Sequence, residues 1–142
     1  MIETALKIAW KLYGQAYRWG GDDPLAGFDC SGFVIEILKS VGVLPRQGDW
    51  TAENLYQLFA QRSCDPKPGA LVFFPGASGK MRHVEFCINE KLTIGASGGG
   101  SGTRGIEVAV AANAFVKVRP IRTIELIFTD PFTPNQRAAF EK

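Results

Sequence analysis

The hydrophobic period of this sequence changes once, across the breaker run Asp65-Pro66-Lys67-Pro68-Gly69, and that change sets the fold class. Before it, apolar residues recur at three- and four-residue spacing; after it they come in short runs rich in Val, Ile and Phe. Residues 2–13 put Ile2, Ala5, Ile8, Ala9 and Leu12 on one side of a helix that Gly14 can close. Residues 30–41 repeat the pattern with Phe33, Val34, Ile37, Leu38 and Val41 up to Gly42, and a shorter helix is expected over about 51–60, with Leu55, Leu58 and Phe59 inward. Strands are expected at Leu71–Phe74, His83–Ile88, Lys91–Ile94, Ile106–Val110, Phe115–Val118 and Ile124–Phe128. Helices followed by an antiparallel sheet make an α+β protein. The run from Gly95 to Gly102 reads as a mobile loop between strands, because strand-like sequence continues on both sides.

The chain has 142 residues, one domain's worth, so residues 1–142 are expected to form a single unit around one core. Its 46% apolar and 21% charged residues are those of an ordinary globular protein. A formal charge of +2, carried by scattered Lys and Arg, gives no basis for a nucleic-acid partner. No apolar stretch approaches the roughly 20 residues of a membrane span, and the amino terminus lacks a secretory signal pattern. As written, the chain is expected to be cytosolic or exported by another route. With three cysteines and one histidine it offers neither a zinc set nor a disulfide framework, so no metal or cofactor is expected and at least one thiol should be free.

Chemistry concentrates at Cys30. It opens the second helix directly after Asp29, a natural N-cap. A thiol reacts as its thiolate, and unpaired N–H groups and the helix dipole favour negative charge at that terminus. The same N–H groups can stabilise the oxyanion of an acyl-transfer intermediate. Cys64, before a proline-rich turn, and Cys87, within an apolar run, read as structural thiols. His83, the single imidazole, opens a strand after the polar turn Ser78-Gly79-Lys80-Met81-Arg82, where it can serve Cys30 as a base. Cysteine on an early helix and histidine on a later strand is the chain order of papain-like enzymes.

Four blocks carry a resemblance: Tyr17-Arg18-Trp19-Gly20-Gly21, Gly27-Phe28-Asp29-Cys30-Ser31-Gly32-Phe33, Pro68-Gly69-Ala70-Leu71-Val72-Phe73-Phe74 and Arg82-His83-Val84-Glu85-Phe86. In these, along about residues 1–110, the sequence resembles the NlpC/p60-type cell-wall cysteine peptidases. The resemblance implies a papain-like fold and cleavage of peptidoglycan stem peptides, typically between D-γ-glutamate and a diamino acid, through a thioester. It implies that Cys30 attacks, that His83 moves the proton, and that Tyr17, Trp19, Asp29 and Ser31 meet the substrate. Tyr17 and Trp19 could instead be loop packing, and Asp29 could cap the helix as well as bind. The family usually orients its histidine with a polar residue on the next strand, at the place of Gly95, and commonly has a small residue at the place of Glu85. Ser97 and Glu85 are the candidates for the third group, and Ser97 is the one expected, directly or through water, because Glu85 on the same strand as His83 is poorly angled. A phage tail, a secretion assembly or a trimmed secreted protein are all compatible settings. A peptide-binding domain without activity, and another thiol amidase or acyltransferase, are the rival readings. Cys30→Ala should abolish release of wall peptides in a digestion assay and leave the fold intact by circular dichroism, whereas Cys64→Ala and Cys87→Ala should keep activity.

Overall fold

A computed structural model of the chain describes residues 1–18, 21–23, 27–99, 102, 106–121 and 126–132. In chain order its elements are α1 (Ile2–Lys11), β1 (Asp22–Asp23), β2 (Gly27–Phe28), α2 (Cys30–Ser40), α3 (Ala52–Phe59), β3 (Leu71–Pro75), β4 (Met81–Cys87), β5 (Leu92–Ser97), α4 (Ile106–Ala112), β6 (Phe115–Pro120) and β7 (Ile127–Thr129). The last five strands form one antiparallel sheet in the order β6-β5-β4-β3-β7, and β1 pairs with β2 in a separate ribbon.

The α2 helix forms because both its ends are satisfied. The Asp29 carboxylate accepts from the Gly32 backbone N–H at 2.7 Å, an N-cap. At the other end Gly42 takes φ +80, and Val43 N–H donates to the Leu38 carbonyl while Gly42 N–H donates to that of Lys39, a Schellman motif. Phe33, Val34, Ile37 and Leu38 are fully buried, in one cluster with Val84 and Phe86 of β4 and Ile94 of β5. Alanines 5 and 9 let α1 join that cluster, and α3 starts from a reciprocal cap between Thr51 and Asn54. The far face of the sheet is also covered: Ala70, Val72, Phe74 and Cys87 form a second cluster with Cys64, Ile121, Leu126 and Phe128. Strand β3 is therefore buried on both faces, which explains its unbroken apolar run.

Three expectations need correction. Residues 106–110 are not a strand but the start of α4. The alternation of Ile106, Val108 and Val110 suggests a strand, yet Val108 and Val110 are exposed and Ala109 is buried. Alanines at 109, 111 and 112 favour helix, and Asn113 at φ 54 closes it with the same two Schellman bonds, Ala114 N–H to Ala109 and Asn113 N–H to Val110. Second, the glycine-rich run does not begin as a loop: Gly95, Ala96 and Ser97 pair with Lys117, Val116 and Phe115, and the chain leaves the sheet only at Gly98. Third, the last strand starts later than expected, at Ile127; residues 124 and 125 lie outside the described part.

Gly32 carries the packing that fixes the start of α2. A Cβ there would lie 2.0 Å from the Gly21 carbonyl oxygen, which itself accepts the Asp29 N–H at 3.0 Å. Gly32→Ala should therefore force the helix start and the 21-loop apart, costing about 1–3 kcal/mol in urea unfolding and most of the reactivity of Cys30 toward a thiol reagent.

Candidate active site

Cys30 is the first residue of α2 and lines an open cleft of about 480 Å³ together with Tyr17, Asp29, Ser31, Trp50, Arg82 and His83. Its position follows from the cap: Asp29 has extended backbone and Cys30 begins the helical turn, so the thiol stands at the positive end of the helix dipole. Ser31 Oγ lies 3.4 Å from the Asp29 carboxylate.

His83 sits on β4 across from Phe74, whose ring meets the imidazole edge-on at 4.9 Å between centroids. It lines the same cleft as Cys30, close enough for the two to influence each other's charge. Its Nε2 lies 2.6 Å from Glu85 Oε2. Burial alone would lower the imidazole pKa; the hydrogen bonds to Cys30 and Glu85 and their negative charges outweigh it and raise the pKa to about 9.

Glu85 is completely buried. Its Oε1 accepts from Thr93 Oγ1 at 2.7 Å and from Arg119 Nε at 3.2 Å, and its Oε2 accepts from Arg119 Nη2 at 2.5 Å besides facing His83. Burial pushes this carboxyl up, but His83 and Arg119 more than reverse that and hold it at about 2. Arg119 comes from β6, stacked over the Phe74 ring at 5.2 Å, and Thr93 is its register partner on β5.

The structure brings Cys30, His83, Tyr17, Asp29 and Ser31 to one cleft, and Trp19 lies outside the described residues. It does not put Ser97 on the imidazole. Ser97 Oγ is buried with no hydrogen-bond partner among the described residues, while Glu85 Oε2 lies against Nε2 of the imidazole. The physical reason is Gly95: the space left by its absent side chain admits the Glu85 chain, which folds back toward its strand neighbour. Arg119 and Thr93 escaped the sequence reading because no local motif marks them; only the β5–β6 register does. Tyr17 is buried with Gly99 against its ring, and burial plus the negative charges of Cys30 and Asp29 push its phenol up, so it stays a neutral donor. Burial also pushes the Cys87 thiol up to about 12 and raises that of Cys64, which keeps both protonated. Among the described residues no group of three or more His, Cys, Asp or Glu is placed to hold a metal ion.

A cysteine on a helix terminus, an imidazole on the sheet and helices preceding an antiparallel sheet are the arrangement of a papain-like fold. The chain belongs to the NlpC/P60 family, whose model matches residues 14–120. It is 42% identical over 76 residues to the bifunctional muramidase/DL-endopeptidase CwlT of Bacillus subtilis (strain 168), covering 52% of this chain and 22% of CwlT. It is 38% identical over 85 residues to the murein DD-endopeptidase MepH of Escherichia coli (strain K12), covering 51% of this chain and 29% of MepH. The crystal structure of the NlpC/p60 domain of the peptidoglycan hydrolase SagA superposes with a TM-score of 0.64 at 27% identity, over 92% of this chain and 97% of that one. The chain thus spans under a third of these two curated relatives and nearly all of the SagA domain.

The two shifted groups bracket a stability optimum. Glu85 falls from 4.5 to about 2 on folding, so its contribution is complete above pH 4.5 and is lost as pH falls toward 2. His83 rises from 6.5 to about 9, so its contribution is complete below pH 6.5 and is lost as pH rises through 9. Urea midpoints should peak between pH 4.5 and 6.5 and decline on both sides, and Glu85→Gln should flatten the acid side.

Proposed function

We propose that this domain is a cysteine endopeptidase acting on the stem peptides of peptidoglycan. The observation that carries the reading is Cys30 and His83 lining one open cleft, with the imidazole's Nε2 on a buried carboxylate. Membership of the NlpC/P60 family and the endopeptidase names of CwlT and MepH support the substrate class.

At neutral pH His83 carries a proton, because its pKa is raised to about 9, and the form of Cys30 that attacks is its thiolate. The Cys30 sulfur attacks the amide carbonyl carbon, and the carbonyl electrons collect on oxygen, where the backbone N–H groups at the start of α2 can donate. As the C–N bond breaks, His83 gives its proton to the leaving amine and a thioester remains on Cys30. Water then attacks the thioester with His83 taking its proton; the carboxylic acid departs and the thiolate–imidazolium pair is restored. Tyr17, a neutral phenol in the cleft wall, donates toward the intermediate. Asp29 and Ser31 meet the acyl side of the peptide, where a carboxylate suits a free ammonium. Trp19 is assigned to the same side on the family resemblance.

The bond is the point on which the relatives differ, one named for a DL and the other for a DD linkage. We take the bond between D-γ-glutamate and the diamino acid. Digestion of purified peptidoglycan followed by mass spectrometry should give fragments ending in D-γ-glutamate and a new amino terminus on the diamino acid. Fragments opened at D-alanyl cross-links would overturn the bond, and absence of any Cys30-dependent release would overturn the peptidase reading. Asp29→Asn should raise KM about tenfold with a smaller change in kcat, as expected for loss of a charged substrate contact.

A further inference from the structure

We infer that Glu85 is the positioning residue of the catalytic pair, and that Gly95, Thr93 and Arg119 form a seat built to hold its carboxylate against His83. The inference rests on the reading of Cys30 and His83 as a hydrolytic pair.

Strand alternation puts His83 and Glu85 on one face of β4, with Val84 and Phe86 on the other. Side chains two apart on a strand normally stand side by side, and a glutamate there would not aim at the outer ring nitrogen. Here it does, because two things bend it. The pairs Phe86–Ile94 and Cys87–Thr93 continue to set Gly95 beside Glu85, and a Cβ on Gly95 would lie 2.5 Å from Glu85 Cγ, 3.0 Å from its Cβ and 3.1 Å from its Cδ. Positions 85 and 95 therefore compete for a single space beside the imidazole, and only a glycine at 95 leaves it to Glu85. The second constraint is polar. Arg119 takes the carboxylate as a fork, Nε to Oε1 and Nη2 to Oε2, and Thr93 Oγ1 holds Oε1 from the next strand. With both oxygens fixed, the carboxylate cannot rotate, and Oε2 stays aimed at Nε2.

Such a seat has two functional consequences. It fixes the ring rotamer and tautomer by holding Nε2, and it supplies a negative charge that favours the imidazolium. A carboxylate serving only the fold would do neither, and that difference is measurable.

The test uses four variants of the full chain with two readouts: peptide release from purified peptidoglycan across pH, and alkylation of Cys30 by iodoacetamide at about pH 6, near the ordinary histidine range. Glu85→Gln keeps the shape and removes the charge. It should lower kcat by roughly ten- to a hundredfold with KM little changed, bring the alkaline fall in activity to lower pH, and slow alkylation about tenfold. Gly95→Asp alone should lose activity by the same order or more, because its side chain claims the space Glu85 fills. Glu85→Gly alone should also be impaired. The pair Glu85→Gly with Gly95→Asp should recover at least about tenfold over Glu85→Gly, since the carboxylate returns to the same space from β5. Wild-type kcat and an unmoved alkaline limb in Glu85→Gln would overturn the proposal, as would purely additive losses in the double variant. Alkylation needs no substrate: wild-type protein that labels rapidly at Cys30 yet releases no wall peptide overturns the peptidase reading, while the variants' labelling rates still decide this one.

Discussion

A carboxylate taken out of water costs several kcal/mol unless hydrogen bonds and an opposite charge replace its hydration, and the sheet of this protein is arranged to make that replacement for Glu85. Strand β4 contributes the carboxylate and the imidazole, β5 the Thr93 hydroxyl and the open space at Gly95, and β6 the Arg119 guanidinium. Apart from His83, these partners come from other strands, and Arg119 lies 34 residues from Glu85. The cluster therefore exists only when three strands pair in one register. A slip of one residue would turn Thr93 or Arg119 to the other face and leave a buried charge unpaired, so the electrostatics select the register as strictly as the apolar alternation does.

The same strand carries the second half of the site indirectly. Val84 and Phe86 alternate with His83 and Glu85 and join the core in which Phe33, Ile37 and Leu38 of α2 are buried. Strand β4 thus fixes the imidazole on one face and contributes on the other to seating the helix that bears Cys30. The helix start is then trimmed by close contact: Gly32 admits the Gly21 backbone, and Asp29 both receives the Gly32 N–H and gives its own N–H to Gly21. Cys30 is consequently fixed in height as well as in direction, which a nucleophile that must meet a carbonyl within bonding reach requires.

What could be read from the sequence follows from how local each signal is. The α2 helix, its cap and Cys30 were legible because Asp29, the three-and-four spacing and Gly42 all lie within one segment. His83 was legible by elimination, being the single imidazole. The α4 helix was misread because Ile106, Val108 and Val110 alternate like a strand while the decisive facts, exposure of both valines and burial of Ala109, are tertiary. The surroundings of the outer His83 nitrogen are hard to read from sequence for a related reason. Gly95 was read as a vacancy to be filled by Ser97 or water, but a missing side chain on one strand is also an opening for a side chain on the next, and only the β4–β5 register shows which. Arg119 and Thr93 left no motif at all.

The position of Arg119 bears on how strongly Glu85 acts. An ionised carboxylate against an imidazole stabilises the imidazolium, and so makes the proton harder to deliver to a leaving group. Arg119 Nη2 stands 3.3 Å from His83 Nε2 while donating to the same Glu85 oxygen, so its positive charge opposes part of that stabilisation. The guanidinium thus does two things with one fork: it keeps Glu85 ionised and immobile, and it weakens the pull of that carboxylate on the His83 proton. Orientation and basicity are in this way set by different partners, the direction of the ring by Glu85 and its seat, the ease of proton release by the balance between Glu85 and Arg119. A neutral orienting group would give the first without the second, and a lone buried carboxylate would give both in a fixed proportion.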